Sequence, residues 1–379
     1  MRVLYVASDQ HVPGNSGGSV HVLEVARGLA RRGHDVHAVV RRTGRAPASE
    51  RFDDVTWHRI DWWPPSRYFR FRARGRVGEL ADRIRPAVVM ERYYNFGGEG
   101  ILSASERGVP GLLEVNSPVV DHPGSLKAVL DRALVARPLR RHRERLCRLA
   151  RALVSPLAEI VPEHVRGKTE IVTWGANVDA FRPERRAESV RARLGVPAGA
   201  VVVLFSGSFR PWHGVHVLEA AARRLRHRED LFFVLAGGPG RGEGTGFRGR
   251  RLGGVAYERM PELVASADVG VAPYDTARLA QLRLGFYWSP LKIFEYMASG
   301  LPTVTIPRPP LTEIVRAERE GLHVPEADPG ALAEALGRLA DDPDLRRRLG
   351  ESARRRVVDR YSWARHCEQL ERVLQRIAA

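Results

Sequence analysis

The chain has 379 residues, of which 44% are hydrophobic and 28% are charged. This length is more than one ordinary core requires, and the composition is that of a globular protein, so we expect two domains. The formal net charge of +17 favours an anionic partner, such as a phosphate-bearing ligand, nucleic acid or an acidic membrane face, and does not choose among them.

Cysteine content and hydrophobic runs exclude several further classes. Cys147 and Cys367 lie far apart in the sequence, which indicates neither a disulfide framework nor a metal knuckle. The first run, "VLYVAS", is too short for a signal-peptide core, and no stretch approaches the roughly 18 apolar residues of a membrane span. We therefore expect a cytoplasmic protein.

Short β-branched runs alternate with stretches of helical period along the chain. The predicted strands are 3–7, 35–40, 55–60, 87–92, 111–116, 152–156 and 171–174, and then 201–207, 231–237, "GVAY" at 254–257, 269–274 and 302–307. The predicted helices are 18–32, 98–107, 125–150, 214–226 and 290–299, followed by three more towards the end. Continuous apolar strands between helices indicate a doubly wound α/β fold with parallel sheets.

Each half of the chain begins with a buried strand, a glycine-containing turn and an amphipathic helix. The strand-free region around 182–199 separates the halves, which predicts two Rossmann-like domains with a boundary near 183. Ligands bind beyond the carboxyl ends of such strands, so we expect the two domains to face a central cleft. The glycine-rich segment 237–254 fits neither a dinucleotide fingerprint nor a P-loop; it favours a mobile loop, with a phosphate-facing loop as the alternative.

The segment "SPLKIFEYMASGLP", 289–302, raises a specific question because its helix is apolar apart from one cation and one anion. We expect Ser289 to cap this helix and Pro290 to be its first residue. Lys292 and Glu295 then share a face near a free helix N-terminus, where a diphosphate and the ribose of a nucleotide would fit. An intrahelical Lys–Glu pair explains the same spacing equally well.

Motifs in order along the whole chain resemble those of the retaining glycosyltransferases of family 4. They are "GGSVHVLEVARGLARRGHDV", "ERYYNFGGEG", "LLEVNSP", "GANVDAFRP", "GSFRPWHGV", "ASADVGVAPY", "SPLKIFEYMASGLPTV" and "YSWARHCEQLERVL". The resemblance implies a GT-B fold: an acceptor-side domain at 1–183, a nucleotide-sugar donor domain at 184–360, and a C-terminal helix at 361–379 that returns to the N-terminal domain.

In the resembling family the 290–299 helix carries the second glutamate of an E-x7-E motif, which maps onto Glu295 as the ribose ligand. The first glutamate would fall on Tyr287, so this sequence lacks it and the donor sugar stays open. His213 stands where a phosphate-binding lysine is usual, with Arg210 close by, and its charge would depend on pH. The residues expected to contact the donor are Gly17, Gly18, Asn116, Arg210, His213, Tyr287, Ser289, Leu291, Lys292 and Glu295.

Arg210, His213 and Lys292 are the residues expected to act in catalysis, by stabilising the charge of the leaving pyrophosphate. On the acceptor side the expected residues are Glu91, Asp121 and His122. Asp342-Pro343-Asp344 resembles a D-x-D metal motif, but its place before a helix predicts N-capping, and no metal is expected.

The resemblance implies transfer of a sugar from a UDP- or GDP-linked donor to an acceptor hydroxyl of a glycan, lipid or natural product, with retention. The alternatives are a nucleotide-sugar epimerase of the same fold and a non-catalytic nucleotide-sugar-binding module. We expect no cofactor beyond the nucleotide-sugar co-substrate and no nucleic-acid partner. The arginine-rich stretch 137–151 is a solvated helix face or a peripheral contact with the inner membrane face.

Overall fold

In the computed structural model of the chain, the described residues are 1–14, 16–64, 67–94, 97–122, 124–287 and 290–379. By their contacts they divide into two compact units. The first unit contains Met1–Trp174, Tyr287–Ser289 and Trp363–Ala379, and the second contains Gly175–Phe286 and Pro290–Ser362. The boundary at Trp174 precedes the predicted one at 183.

Within the described ranges, eight strands form the sheet of the first unit, in the order β3-β4-β2-β1-β5-β6-β7-β8. All neighbours are parallel except β3 and β4. The strands are β1 (Arg2–Ala7), β2 (Asp35–Arg41), β3 (Ser49–Phe52), β4 (Val55–Ile60), β5 (Val88–Tyr93), β6 (Gly111–Val115), β7 (Ala152–Ser155) and β8 (Thr169–Ile171). The helices are α1 (Gly17–Arg31), α2 (Arg74–Ile84), α3 (Glu99–Glu106), α4 (Leu126–Ala133) and α5 (Pro138–Leu149).

The second unit has a parallel sheet of six described strands, in the order β11-β10-β9-β12-β13-β14. Its strands are β9 (Val201–Ser206), β10 (Leu231–Glu243), β11 (Gly249–Gly253), β12 (Val269–Ala272), β13 (Thr303–Thr305) and β14 (Gly321–His323). Its helices are α6 (Glu188–Leu194), α7 (Val215–Arg224), α8 (Met260–Ala265), α9 (Leu291–Ala298), α10 (Leu311–Ile314), α11 (Pro329–Asp341) and α12 (Pro343–Arg360).

The last helix, α13 (Trp363–Ala378), belongs to the first unit by its contacts and packs against α1. Its buried face includes Cys367, whose sulfur lies where a side chain on Gly28 of α1 would have to fit. The close approach of the two helices therefore depends on a glycine at position 28. None of the described helices is both long and apolar enough to cross a bilayer.

The doubly wound α/β prediction is confirmed. The strand predicted at 171–174 is instead β8 at Thr169–Ile171, and four further details are wrong. The predicted strand 254–257 is a turn that leads into the 3₁₀ helix Tyr257–Arg259. The glycine-rich segment 237–254 is largely strand, because β10 continues to Glu243 and pairs with β11. The predicted helix 125–150 is two helices, α4 and α5, and the predicted helix 290–299 begins at Leu291.

Strand order locates the switch point of each sheet. β9 lies between β10 and β12, so the chain leaves β9 and β12 in opposite directions, and a crevice forms beyond their carboxyl ends. In the first unit β1 and β5 stand in the same relation. The residues that follow these four strands are the ones that the fold offers to a ligand.

Candidate functional site

The turn after β9 is held by backbone contacts that only glycine allows. A Cβ on Gly214 would lie 1.6 Å from the carbonyl oxygen of Pro273, which follows β12, and Gly214 has φ of 71°. A Cβ on Gly237 would lie 1.9 Å from the carbonyl oxygen of Gly207, and Gly237 has φ of 105°. Tight turns of this kind let the backbone approach a ligand closely. Gly237 also places the start of the glycine-rich segment against the β9 turn.

Lys292, on the first turn of α9, projects into the switch point of the second unit. Its Nζ lies 4.1 Å from the centroid of the Phe205 ring and 5.5 Å from that of Tyr274. The Nζ is buried and has no hydrogen-bond partner within the described part of the chain. Burial lowers the pKa of Lys292 to about 7, although the nearby charge of Glu295 acts in the opposite direction. A buried ammonium group with unused donors is suited to receive an anion.

His213 lies on the other side of the same turn. A Cβ on Gly207 would be 2.7 Å from Lys292 Nζ and 3.3 Å from His213 Nδ1, so the two side chains converge on Gly207. The ring of His213 packs edge-on against Trp212, and its buried Nδ1 has no described hydrogen-bond partner. Burial and the positive charges of Lys292 and Arg210 lower the pKa of His213 to about 2.

With a pKa of about 2, the His213 imidazole is neutral at neutral pH in the ligand-free chain. The imidazole can still donate one hydrogen bond. Arg210 is exposed at the start of the 3₁₀ helix Pro211–His213. Together these groups form a site of one buried cation, one neutral donor and one exposed cation, which we call the Lys292 site.

The beginning of α9 differs from its prediction. Pro290 is the N-cap residue and makes no side-chain capping bond, and Leu291, partly exposed, is the first helical residue. Ser289, the predicted cap, lies outside the described residues. Glu295 is 6% exposed.

Tyr287, at the position of the missing glutamate, is buried and groups by its contacts with the first unit. Burial and the neighbouring Tyr94 raise its pKa.

In the first unit, Gly17 and Gly18 form the first turn of α1 and do not precede it. Ser16 caps this helix by accepting a hydrogen bond from the Ser19 amide at 3.1 Å. A Cβ on Gly18 would lie 2.3 Å from Gln10 Oε1. A side chain at position 18 would therefore displace the end of the Gln10 side chain, while Gly17 is exposed and available to a ligand.

Asn116 follows β6 and is buried. Its Oδ1 accepts a hydrogen bond from Trp174 Nε1 at 3.0 Å, and its Nδ2 has no partner among the described residues. The amide therefore has a donor that a ligand could use.

Next to Asn116 is a buried group that the sequence did not predict. Glu114 Oε1 lies 2.7 Å from His21 Nε2, and Glu114 Oε2 accepts a hydrogen bond from Tyr5 at 2.9 Å. His21, Glu114 and His366 could each offer one ligand atom to a metal ion, and these three atoms lie within 4.8 Å of one another. Burial alone would raise the pKa of Glu114, but His21 brings it down to about 2, so the contact with His21 stabilises the ionised carboxylate.

Glu91, predicted on the acceptor side, has both carboxylate oxygens engaged. They accept hydrogen bonds from the amides of Gly98 and Ile101, each at 2.7 Å, at the start of α3. Arg70 is buried beside it and bonds Glu99 at 2.8 Å. Burial and the Glu99 charge raise the pKa of Glu91 to about 8, and Arg70 opposes this. In the structure Glu91 therefore holds the N-terminus of a helix.

Asp121 is paired with a buried arginine that the sequence analysis did not single out. Its Oδ1 accepts a hydrogen bond from Arg143 Nη2 of α5 at 2.6 Å. His122 is partly exposed next to it. Neither the Arg143–Asp121 pair nor the His21–Glu114 pair has a local sequence signal, because the two members of each pair lie far apart in the chain.

Comparison with known proteins supports a single family. The family model described as "Glycosyltransferase Family 4" matches residues 15–179, and the one described as "Glycosyl transferases group 1" matches residues 200–342. A D-inositol 3-phosphate glycosyltransferase from Streptomyces scabiei is 29% identical, over 91% of this chain and 84% of the relative. The protein of the same name from Thermobispora bispora is 28% identical, over 96% of this chain and 91% of the relative.

Solved structures agree on the fold. Sucrose-phosphate synthase from Thermosynechococcus elongatus superposes with a TM-score of 0.75 at 20% identity, covering 99% of this chain and 98% of that one. HepE from Anabaena, in complex with UDP and glucose, gives a TM-score of 0.71 at 15% identity and covers 99% of this chain and all of its own. With two doubly wound units and family matches in both, the chain belongs to family 4 of the glycosyltransferases and has the GT-B fold.

Proposed function

We propose that this glycosyltransferase uses a nucleoside-diphosphate sugar, holds the diphosphate at the Lys292 site and transfers the sugar with retention of its anomeric configuration. One observation carries the proposal: the buried Nζ of Lys292, which has no hydrogen-bond partner in the described chain, lies at the switch point of the second sheet. An isolated buried cation costs free energy, and a diphosphate would offset that cost.

The other contacts follow from the positions of the remaining side chains. His213 would donate a hydrogen bond and Arg210 would close on the phosphates from the solvent side. Glu295, further along the same helix, would accept hydrogen bonds from the ribose. Asn116 and Gly17 of the first unit remain proposed donor contacts, and Asp121 and His122 remain proposed acceptor-side residues. UDP is the first nucleotide to test, because HepE was solved with UDP and with UDP-glucose.

In the proposed reaction the bond between the anomeric carbon and the diphosphate oxygen breaks, and a bond from that carbon to the acceptor oxygen forms on the same face. The proton of the acceptor hydroxyl passes to the leaving phosphate oxygen, so no protein nucleophile is required. The protein stabilises the charge that develops on the diphosphate, through Lys292, His213 and Arg210. We propose that no metal takes part.

The class of acceptor is a separate proposal. Relatives in the comparison are named for D-inositol 3-phosphate, and a trehalose-phosphate synthase in the same comparison was solved with glucose 6-phosphate. We therefore propose to screen phosphorylated polyols and sugars first, with lipid and natural-product hydroxyls after them.

The test begins with thermal stabilisation by UDP-, GDP- and dTDP-sugars, since a ligand that binds the folded state raises the melting temperature. The stabilising donor is then incubated with each acceptor, and the product anomer is assigned by NMR. We expect the donor's anomeric configuration in the product. Inversion would contradict the mechanism, and a donor converted without any acceptor into a different nucleotide sugar would indicate an epimerase.

Tyr287, in place of an acidic residue, favours one alternative: a module that binds a nucleotide sugar without reacting it. Slow hydrolysis of the bound donor in the absence of acceptor would argue against this alternative. Binding with neither transfer nor hydrolysis would support it.

A further inference from the structure

The segment from α4 to the turn that follows it exposes an unusual number of large apolar side chains. Fully folded, the chain leaves Leu126 66%, Val129 48%, Leu130 41%, Leu134 57% and Val135 86% exposed. We call these five residues the apolar ridge. Their spacing places them on adjoining turns of one helical face and its continuation. The other exposed large hydrophobic residues of the described chain are Trp63, Phe69, Phe71, Ile171 and Val358.

The surroundings of the apolar ridge are strongly basic. Residues 124–151 contain nine lysines and arginines but only two acids, Asp131 and Glu144. Asp131 is buried and accepts hydrogen bonds from the amides of Leu139 and Arg140 at the start of α5. Glu144 pairs with Arg140 at 2.8 Å. The exposed arginines of this stretch that form no ion pair with a described residue are Arg132, Arg137, Arg141, Arg145 and Arg151.

We propose that the apolar ridge and these arginines dock the first unit on a bilayer surface that contains anionic lipid. Apolar side chains flanked by arginines match the boundary between acyl chains and anionic headgroups, where both kinds of side chain are satisfied at once. The sequence left the basic stretch 137–151 as either a solvated helix face or a membrane contact; the proposal chooses the membrane contact and adds α4 as the part that inserts.

A second copy of the chain fits the apolar ridge less well. The surface area that five partly exposed side chains could bury is smaller than the roughly 800 Å² per partner that a stable interface buries. A second copy would also bring like charges together, since residues 124–151 contain nine basic residues and only two acids.

Docking has a consequence for the acceptor. α4 follows the loop that carries Asp121 and His122, and Arg143 of α5 holds Asp121 at 2.6 Å. An acceptor bound near that loop would therefore be presented at the membrane surface. This consequence depends on the proposed function, whereas the docking itself does not.

The experiment is sedimentation of the full chain with vesicles of phosphatidylcholine, alone or mixed with phosphatidylglycerol, in the absence of donor and acceptor. We expect binding only to the mixed vesicles, with affinity that falls as salt rises. The Leu134→Glu/Val135→Glu variant should lose at least tenfold in affinity. Arg137→Gln/Arg141→Gln should lose roughly fivefold for each arginine removed.

The matched control is Ile171→Glu/Val358→Glu, which changes two exposed apolar side chains away from the ridge and should bind as the wild type does. All four positions in the glutamate variants are exposed, so the melting temperatures should stay unchanged. Equal binding by the ridge variant, binding to neutral vesicles alone, or no binding at all would overturn the proposal. A dimer in solution that the ridge variant dissolves would also overturn it, in favour of a second copy. Because no nucleotide sugar is present, any of these failures leaves the proposed transfer reaction intact.

Discussion

Lys292 answers the question of why an apolar helix contains a cation. Its Nζ faces the rings of Phe205 and Tyr274 and has no hydrogen-bond partner among the described residues, so the intrahelical pair with Glu295 does not satisfy it. The sequence could predict that Lys292 and Glu295 share a helix face, since that depends on spacing alone. It could not predict that the ammonium group is buried, because the aromatic residues around it come from β9 and from the segment after β12.

Replacing Lys292 by Met should separate binding from folding. We expect nucleotide affinity to fall roughly ten- to a hundredfold, since a charge-assisted bond is lost. The melting temperature of the ligand-free variant should stay the same or rise, because a buried unpaired cation is removed. Calorimetric titration with UDP measures the first effect and thermal unfolding the second. Arg224→Met, an exposed position on α7, is the control; a Lys292→Met variant with unchanged affinity would contradict the assignment.

The pKa of about 7 for Lys292 gives two opposite pH dependences. Diphosphate binding needs the protonated amine, so affinity should fall above pH 7, by up to about tenfold per pH unit. The unfolded chain keeps that proton up to pH 10.5, so the free energy of unfolding without ligand should rise over the same range. Titrations with UDP between pH 6 and 9 check the first trend, and Lys292→Arg should remove it. A fall in affinity that persists in Lys292→Arg would assign the titration to another group.

The His21–Glu114 pair is a structural feature by our interpretation, and this too can be measured. Glu114→Gln removes the carboxylate that contacts His21 and Tyr5 in a buried site and should lower the free energy of unfolding by about 2 kcal/mol. Dialysis of the wild type against a chelator should change neither the melting temperature nor sugar transfer. A large loss of stability on chelation would instead show that His21, Glu114 and His366 hold a metal ion.

At the scale of elements, hydrophobic periodicity predicted most strands and helices, since buried parallel strands and amphipathic helices leave clear patterns. Periodicity failed to predict the strands whose formation depends on a pairing partner elsewhere in the chain. The run 254–257 is apolar enough for a strand but pairs with none of the described strands. Gly242 and Glu243, in contrast, lie in a strand because Arg251 and Arg250 of β11 pair with them. The cap of α12 was predicted correctly: Asp342 accepts a hydrogen bond from the Leu345 amide at 2.8 Å.

The turn between 3₁₀ helix 211–213 and α7 should tolerate no side chain. Gly214→Ala would push a Cβ to within 1.6 Å of the Pro273 carbonyl oxygen, and we expect the second unit to lose more than about 2 kcal/mol of stability. Gly199→Ala is the matched control, because Gly199 has a similar φ of 73° but nothing within 4 Å of its Cβ. That variant should lose only about 1 kcal/mol. Denaturant unfolding measures both, and equal losses would show that backbone strain alone matters.

At the scale of the whole molecule, two units with separate sheets should respond differently to nucleotide. If the second unit holds the diphosphate, UDP should slow amide hydrogen exchange in 205–214 and 291–295. Exchange in β2, an interior strand of the first unit, serves as the internal control and should not change. Protection confined to the first unit would contradict the proposed donor site.

The sequence by itself determined the α/β class and the family, and it predicted nucleotide contacts at Glu295, Lys292 and the β9 turn, because these depend on local periodicity and on motifs in order. The tertiary structure alone decided which charges are buried and paired. Arg143 with Asp121, His21 with Glu114, and Glu91 with the start of α3 are each formed by residues that the fold brings together. The energetic cost of an ionised group depends on its surroundings, and those surroundings exist only once the sheets have formed.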